Sequence, residues 1–308
     1  TKPKFAFDDI RFVVPGQLNH LGCLSKVWAT MLAGATCCLM PKFDFNEFFS
    51  LLASCKEMGV GAFLVPSCIR MLTKFGGKQM EDAAMKLVFI ETGGDALDTP
   101  TMAELHQQLP HTRLFNTYAS TETGVVATFE FTHHQLAGCV GHALPNARFD
   151  ITPEGHIRCA GDTLMSGYLR MGDQTAYEPL TEKSFTTCDC GEIDNQGRLQ
   201  FKCRDSDIIN TGGFKVSPQE VEAAANSFAE VKACVCIAMP HPILGQALKL
   251  LVVADGGVEI NAKDLARRLK ERLETHQVPL FYEQVEALAL TPNGKIDRKH
   301  YLLTQTGC

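Results

Sequence analysis

Between Phe12 and Phe115 the chain alternates between short strand-like runs and helical stretches, and this alternation constrains the fold more than any other feature. Runs rich in apolar, β-branched or aromatic residues predict strands at 12–14, 36–40, 61–65, 86–91 and 112–115. Apolar residues at helical spacing predict helices near 21–32, 45–58, 67–74 and 99–108. Such alternation is typical of an α/β domain with a largely parallel sheet and helices on both faces.

The pattern changes near residue 137, where short strands are separated by turn signals such as Pro153-Glu154-Gly155. We therefore expect a partial large N-terminal domain, with an α/β part at 1–136 and a β-rich subdomain at 137–204. A small α+β cap domain should follow at 205–308, with strands at 231–238 and 247–254 and a helix at 262–273. In the cap, Ser217-Pro218-Gln219-Glu220 predicts a helix start with a capping box and a proline at the first helical position.

Three segments carry residue types suited to chemistry. The segment 291–298 reads Thr-Pro-Asn-Gly-Lys-Ile-Asp-Arg, and its Pro and Gly predict a tight loop that presents Lys295. Taken alone, that segment is better interpreted as an ordinary surface turn, and only the two segments upstream favour a functional loop. The segment 116–124 follows a predicted strand, at the kind of strand end where open α/β sheets bind ligands. The third begins at Thr187-Cys188-Asp189 and continues through Arg204 and Gly212-Gly213-Phe214-Lys215 to Glu220-Val221-Glu222.

In this order the three segments resemble the AMP-forming adenylating superfamily, which includes acyl-CoA synthetases, aryl-CoA ligases and adenylation domains of nonribosomal peptide synthetases. The resemblance covers almost the whole chain. It implies that a carboxylate attacks the α-phosphate of ATP, that pyrophosphate leaves and an acyl-adenylate forms, and that a thiol then attacks this intermediate. Positioning and electrostatics dominate catalysis of such phosphoryl chemistry.

The resemblance implies a role for each matching residue. Lys295 matches the catalytic lysine that bridges the carboxylate and the α-phosphate, Thr121 matches a catalytic phosphate contact, and Glu122 matches the glutamate that holds Mg²⁺. Tyr118 is expected to lie against adenine, while Asp189 and Arg204 are expected to bind the ribose. The remaining residues expected to bind the nucleotide or the thiol cofactor are Gly94, Asp95, Ala96, Asn116, Ala119, Ser120 and Lys215.

The carboxylic acid substrate is expected to contact a second set of residues: His20, Ser67, Gly93, Gly124 and Gly213. For His20, a solvated loop histidine is an open alternative. Amino-acid-activating relatives carry an aspartate just after this position, whereas residues 21–28 contain no acidic residue. This favours a fatty or aromatic acid, with ATP, Mg²⁺ and coenzyme A as cofactors. A carrier protein is the alternative thiol acceptor.

Three positions depart from the family pattern, because Ala119, Cys188 and Cys203 stand where it has glycine. The Ser/Thr/Gly-rich loop that holds the β- and γ-phosphates in the family has no counterpart in the sequence. We therefore expect a piece of a longer enzyme or a natural truncation. A non-catalytic fragment that binds nucleotide or acyl groups is the alternative from another class.

Composition bounds the partners and the compartment. A formal net charge of −6 and an isoelectric point near 5.9 give no basic surface for nucleic acid. The longest mostly apolar run, 27–40, is shorter than the roughly 20 residues of a membrane span and is interpreted as a core helix leading into a strand. The 13 cysteines contain no CxxC pair, and the CxC pairs lie in strand-like contexts without nearby histidine partners, so free thiols in a reducing cytoplasm are expected.

Overall fold

The computed structural model describes residues 10–55, 59–171, 176–291, 295–298, 300 and 301. The chain divides into two compact units, Thr1–Phe201 and Lys202–Cys308. The division falls three residues before the boundary expected at 204/205. Each unit is described by itself below.

The first part of unit 1 is the expected parallel sheet. Its strands are β1 (Ile10–Pro15), β2 (Thr36–Met40), β3 (Gly59–Phe63), β4 (Leu87–Gly93) and β5 (Arg113–Ser120), in the order β2-β1-β3-β4-β5. The helices are α1 (Leu21–Leu32), α2 (Phe45–Ser54), α3 (Pro66–Phe75), α4 (Gly77–Ala83) and α5 (Thr99–Gln108). The expected α/β fold class is confirmed.

Alternation along each strand gives the sheet two apolar faces. Val13 belongs to the large core formed with helices α2 to α5, whereas its neighbours Phe12 and Val14 pack with Cys23 of α1 on the opposite face. Phe12 and Phe89 stack there with ring centroids 5.3 Å apart, and Gly61 lies between them in register. Helices therefore cover both faces, as expected.

The interpretation of 27–40 as a core helix is wrong in part. Helix α1 does end at Leu32 and β2 follows, but Trp28, Met31 and Leu32 are 61%, 66% and 89% exposed. Only Cys23 and Thr30 of this helix are buried. The apolar run is therefore a half-covered helix. Among the described residues, no helix is long and apolar enough to cross a bilayer.

The second part of unit 1 continues the sheet with antiparallel strands. These are β6 (Gly124–Glu130), β7 (Cys139–Ala143), β8 (Ala147–Ile151), β9 (His156–Gly161), β12 (Ser184–Ile193) and β13 (Leu199–Arg204). They follow β5 in the order β6-β7-β13-β12-β9-β8, while β10 (Gly167–Arg170) and β11 (Ala176–Pro179) form a separate hairpin. Strand β8 lies against β6, so this part of the sheet curls around an apolar interior that includes Val126, Ile157 and Leu199.

Unit 2 is a small α+β unit. It contains β14 (Ile209–Thr211), β15 (Phe214–Val216), α6 (Pro218–Asn226), β16 (Val231–His241), β17 (Gly245–Ala254), α7 (Ala262–Leu269) and β18 (Phe281–Gln284). Its sheet has the order β15-β14-β17-β16, with β18 parallel to β17. Short 3-10 turns lie at Asp205–Asp207 and Thr275–Gln277.

The predicted helix start at Pro218 is confirmed, but the predicted capping box is wrong. The Ser217 side chain makes no capping bond and instead donates from its hydroxyl to Gln219 Oε1 at 3.0 Å. The Glu220 carboxylate is taken by Gln277, whose Nε2 donates to Oε2 at 2.6 Å. A capping box does form elsewhere, between Glu274 and Gln277. A tertiary contact, between Glu220 and Gln277, has therefore replaced the local capping bond that the sequence predicts.

Candidate functional site

Most of the predicted residues of unit 1 lie at or just after the carboxyl ends of β4 and β5. These strands are parallel neighbours, with Thr92 opposite Asn116 and Gly93 opposite Thr117. A Cβ on Gly93 would lie 2.7 Å from the carbonyl oxygen of Thr117, so glycine is required for this close approach. The two predicted segments, 93–96 and 116–124, are therefore side by side although they are distant in sequence.

Tyr118 and Asp189 form the central polar contact of this region. Both are buried, and the Tyr118 hydroxyl donates to Asp189 Oδ2 at 2.8 Å and approaches Thr187 Oγ1 at 3.4 Å. Burial and the Asp189 carboxylate raise the pKa of Tyr118 well above its ordinary value, so the phenol stays protonated and remains a donor. The Phe201 ring, which the sequence did not indicate, lies 6.5 Å from the Tyr118 ring.

The Asn116 side chain makes a separate contact: its Nδ2 donates to the carbonyl oxygen of Cys139 at 2.9 Å in the buried interior. Its Nδ2 is therefore already used within the fold, and its expected role in nucleotide binding stays a prediction. Ala119 and Ser120 follow Tyr118 at the end of β5 and are half-buried.

A tight turn presents Thr121 and Glu122. The Thr123 amide donates to Ser120 Oγ at 3.1 Å, and the Ser120 amide donates to Thr123 Oγ1 at 3.2 Å, which closes the turn from both sides. Gly124 has φ +65°, and a Cβ there would lie 2.8 Å from the Thr163 carbonyl oxygen. Thr121 is exposed at the tip.

The half-buried Glu122 is held by the segment before and within β10. Its carbonyl oxygen accepts the Met165 amide at 2.9 Å, and its Oε1 accepts the Tyr168 hydroxyl at 3.4 Å. Burial and Glu122 raise the pKa of Tyr168, so this phenol also remains a donor. Sequence reasoning missed Tyr168, which belongs to the antiparallel hairpin.

Arg70 of α3 fixes the Gly94-Asp95-Ala96 loop. Its Nη2 donates to the Ala96 carbonyl oxygen at 3.1 Å and lies 3.3 Å from Asp98 Oδ2. Burial opposes ionisation of Asp98, but Arg70 and the Thr101 amide outweigh it and lower the pKa of this carboxyl. Gly94 has φ +82°, and the Asp95 side chain accepts the Ala96 amide at 2.8 Å. Arg70 was not among the predicted residues.

Two of the expected acyl-binding residues lie at helix starts. His20 is exposed and precedes α1, and half-buried Ser67 lies in the first turn of α3. Two charged residues that sequence reasoning missed lie between α1 and β4: Lys26 Nζ is 2.5 Å from Glu91 Oε1, and both side chains are largely buried. The Lys26 ammonium also lies 5.5 Å from the Phe63 ring centroid.

Cys190 corrects one part of the cysteine interpretation. It lies opposite His156 in the β9–β12 register, so a histidine distant in sequence is near this CxC pair.

Burial raises the pKa of Cys68 and Cys159 to about 12, which keeps both thiols protonated.

The other predicted residues belong to unit 2. Arg204 is exposed at the end of β13, and Gly212 and Gly213 have φ +56° and +90° in the turn between β14 and β15. Lys215 is exposed on β15, where the neighbouring Phe214 stacks on His276 at 4.4 Å between centroids. Successive positive φ values are typical of a tight hairpin turn.

Lys295 lies where a loop closes on itself. The Thr291 amide donates to the Lys295 carbonyl oxygen at 2.7 Å, the Lys295 amide donates to Thr291 Oγ1 at 3.2 Å, and Leu290 and Ile296 form an antiparallel bridge. The Pro and Gly predicted to shape this loop, at 292–294, lie outside the described residues.

Comparisons with known proteins identify the family of the chain. A family model described as AMP-binding enzyme matches residues 2–169, and one described as AMP-binding enzyme C-terminal domain matches residues 220–295. A 2-succinylbenzoate–CoA ligase of Staphylococcus aureus (strain JH9) is 28% identical over 310 residues, which cover 96% of this chain and 60% of that protein. The chain thus spans about 60% of the length of the curated relatives that it matches.

Solved structures show the same fold. ATP-bound MatB from Rhodopseudomonas palustris is similar with a TM-score of 0.82 and 25% identity, covering 97% of this chain and 60% of that one. The amide bond synthetase McbA from Marinactinospora thermotolerans matches with a TM-score of 0.82 and 24% identity, covering 94% and 60%. At that lower identity the likeness concerns the fold alone.

Proposed function

Because the chain belongs to the AMP-binding enzyme family, we propose that it takes part in the ATP-dependent activation of a carboxylic acid through an acyl-adenylate, followed by thioester formation. The enzyme class is an AMP-forming acid–thiol ligase. Coenzyme A is the proposed thiol, since the curated relatives are named as CoA ligases. The observation that carries the proposal is the buried contact between Tyr118 and Asp189 beside the turn that presents Glu122.

The nucleotide is assigned to this edge of unit 1. Asp189 accepts hydrogen bonds from the ribose hydroxyls, a task that suits a two-oxygen acceptor, and Tyr118 provides an aromatic side chain for adenine. The glycines at 93 and 94 allow a ligand to approach the backbone closely. Asp95, Ala96, Asn116, Ala119 and Ser120 complete the proposed nucleotide contacts.

Glu122 is the proposed ligand for Mg²⁺. This half-buried carboxylate accepts one tyrosine hydroxyl and keeps oxygen sites for an ion, which fits Mg²⁺ because that ion usually takes one or two carboxylates together with substrate phosphates. When bound, the ion would offset phosphate charge. Thr121 would donate to a phosphate oxygen.

The cap supplies the remaining groups of the proposal. Lys295 places a positive charge where the carboxylate and the α-phosphate meet, and such charge stabilisation is a large term in catalysis. Arg204 would contact the ribose, while Gly213 and Lys215 would line the path of the incoming thiol. A mobile cap of this kind acts by hinge motion.

The acid is proposed to be a fatty or aryl acid that contacts His20, Ser67, Gly93 and Gly124. Residues 21–28 contain no acidic group for an α-ammonium, which is evidence against an amino acid. The Lys26–Glu91 pair at the carboxyl end of β4 adds polar groups near this region. An aryl acid is therefore favoured over a plain hydrocarbon chain, and the curated relatives are named for 2-succinylbenzoate.

We also propose that the protein works in the cytoplasm. Cys55, Cys68, Cys139 and Cys159 are buried free thiols, which a reducing compartment maintains.

The test is acid-dependent exchange of labelled pyrophosphate into ATP, measured on the longest form of the protein that contains this chain. The panel pairs aryl acids with and without a second carboxylate, and adds fatty acids and amino acids. Exchange with aryl or fatty acids, followed by product formation on addition of coenzyme A, supports the proposal. Product only with a carrier protein would replace coenzyme A by that acceptor. ATP binding without exchange for any acid would show a non-catalytic nucleotide-binding protein instead.

A further inference from the structure

Arg298, three residues after Lys295, joins three separate elements of unit 2. Its Nη1 and Nη2 donate to Glu222 Oε1 and Oε2 of α6, each at 2.8 Å. Nη1 also donates to the Cys236 carbonyl oxygen of β16 at 3.0 Å, and Nε lies 3.8 Å from Asp207 Oδ2. The guanidinium therefore contacts a helix, a strand and the 3-10 turn where unit 2 begins.

Glu222 is a buried carboxylate whose oxygens are well satisfied. Besides the two bonds from Arg298, its Oε1 accepts the Cys236 amide at 2.7 Å. Two parallel hydrogen bonds from a planar guanidinium define an orientation, which a single ammonium contact does not. The pair therefore fixes the direction of the Arg298 side chain. It thereby also restrains the backbone immediately before Arg298.

That preceding chain is also held by apolar contacts. Ile296 packs with Tyr301 against Val235, Ile237 and Leu251. Lys295 thus lies between the hydrogen bonds to Thr291 on one side and two anchored residues, Ile296 and Arg298, on the other.

We propose that Arg298, oriented by Glu222, is a positioning residue that sets the place of the Lys295 ammonium for the adenylation step. The inference rests on the proposed function, in which Lys295 meets the carboxylate and the α-phosphate. Apolar residues of similar volume can replace a buried ion pair with little loss of stability, so stability alone does not require a guanidinium here. Orientation does require one, since a displacement of about 1 Å at a reacting group can slow a reaction about 10²-fold.

The experiment separates the two half-reactions in the longest form of the protein. Arg298→Lys keeps the charge but loses the two-pronged contact, and Glu222→Gln keeps the shape but loses the charge. Each variant is assayed for acid-dependent pyrophosphate exchange and for thiolysis of supplied acyl-adenylate, together with its thermal midpoint. Lys295→Ala is the reference, and Arg267→Lys, which alters an exposed ion pair on α7, is the matched control.

We expect Arg298→Lys to lower kcat for exchange about 10- to 10²-fold with little change in KM for ATP. Glu222→Gln should also lower kcat for exchange. In both variants the rate of thiolysis should equal that of the unaltered protein. Wild-type exchange in both variants, while Lys295→Ala lowers exchange about 10²- to 10³-fold, would overturn the positioning role. Parallel loss of both half-reactions with a lowered thermal midpoint would show that the network is only structural. Undiminished exchange in Lys295→Ala would overturn the role of that lysine in the proposed function.

Discussion

The Tyr118 hydroxyl lies 2.8 Å from Asp189 Oδ2, although the strands that carry these residues, β5 and β12, are separated in the sheet by β6, β7 and β13. In a flat sheet, strands four steps apart would be roughly 19 Å from each other. The contact is possible because the sheet curls until β8 lies against β6. The phenol and the carboxylate, both buried, meet on the inside of this curl, where Tyr118 packs with the apolar interior.

Replacing the Asp189 carboxylate should weaken ATP binding. We expect Asp189→Asn to raise the Kd for ATP about 10-fold or more, because hydrogen bonds to a charged acceptor contribute about 1.5–3 kcal/mol. Calorimetric titration with ATP and separately with the acid checks this. Acid affinity should not change, and Asp150→Asn, which alters an exposed carboxylate on β8, should leave both affinities unchanged. Equal ATP affinity in Asp189→Asn would remove this residue from the site.

Removing the Tyr118 hydroxyl should destabilise unit 1. Tyr118→Phe takes a donor from a buried carboxylate, which costs about 1–3 kcal/mol in the free energy of unfolding. Urea denaturation measures the change. The control is Tyr177→Phe, because that hydroxyl bonds the Ser166 carbonyl oxygen at the exposed surface, where water can replace it. Equal losses in the two variants would contradict the prediction.

Glu122 should determine the requirement for Mg²⁺. In Glu122→Gln we expect the concentration of Mg²⁺ that half-saturates pyrophosphate exchange to rise at least about 10-fold, since an amide is a poor replacement for an anionic ligand of a hard cation. Glu130→Gln, which removes a more exposed carboxylate on β6 paired with Arg113, is the control. If the two variants respond to Mg²⁺ alike, Glu122 is not the metal ligand.

Lys295 should act in one half-reaction only. We expect Lys295→Ala to lower pyrophosphate exchange about 10²- to 10³-fold, the usual effect of removing a preorganised charge contact, while thiolysis of supplied acyl-adenylate continues. Rapid-quench assays of the separate steps check this. Equal loss of both steps would argue against a cap that moves between them.

Alkaline pH should destabilise the protein through its buried thiols. Burial first, and then Asp189 and Asp150, raises the pKa of Cys159 from 9.0 to about 12. Above pH 9 the unfolded chain loses this proton while the native state keeps it, so stability is fully present below 9.0 and falls as pH rises toward 12. Each such group contributes a slope of about 1.4 kcal/mol per pH unit.

Urea denaturation from about pH 7 to about pH 11 measures this slope. Cys159→Ala should flatten the decline relative to the unaltered protein, whatever its effect at neutral pH. An unchanged slope would mean that Cys159 ionises equally in both states.

The sequence predicts those parts of the fold that depend on local pattern. The parallel strands and four of the helices follow from periodicity, and α1 and α5 have the predicted limits. Helix α4 was missed because Gly76-Gly77 resembles a break and only Met80 and Ala83 of this helix are buried. Helix α7 ends at Leu269 rather than at the predicted residue 273. After Leu269 the chain turns: the Lys270 amide donates to the Ala266 carbonyl oxygen, and the Leu273 amide donates to that of Leu269.

The site shows the same limit of local pattern. Strand order predicts that 93–96 and 116–124 are neighbours, and the register agrees. The partners of Asp189 and Arg298 could not be predicted from one sequence, because Tyr118 and Glu222 reach them only through the curl of one sheet and the packing of α6 on β16. The ligand roles of the individual residues stay predictions.

The curled sheet has a consequence for how nucleotide affinity can vary. Tyr118 and Asp189 sit on strands whose separation is set by the apolar side chains between them, among them Val140, Ile157 and Leu199. Interiors of this kind are close-packed, so a change of one methylene group is transmitted to the surrounding strands. Under the proposed function, conservative exchanges among these aliphatic residues would therefore change the affinity for adenosine without altering Tyr118 or Asp189 themselves.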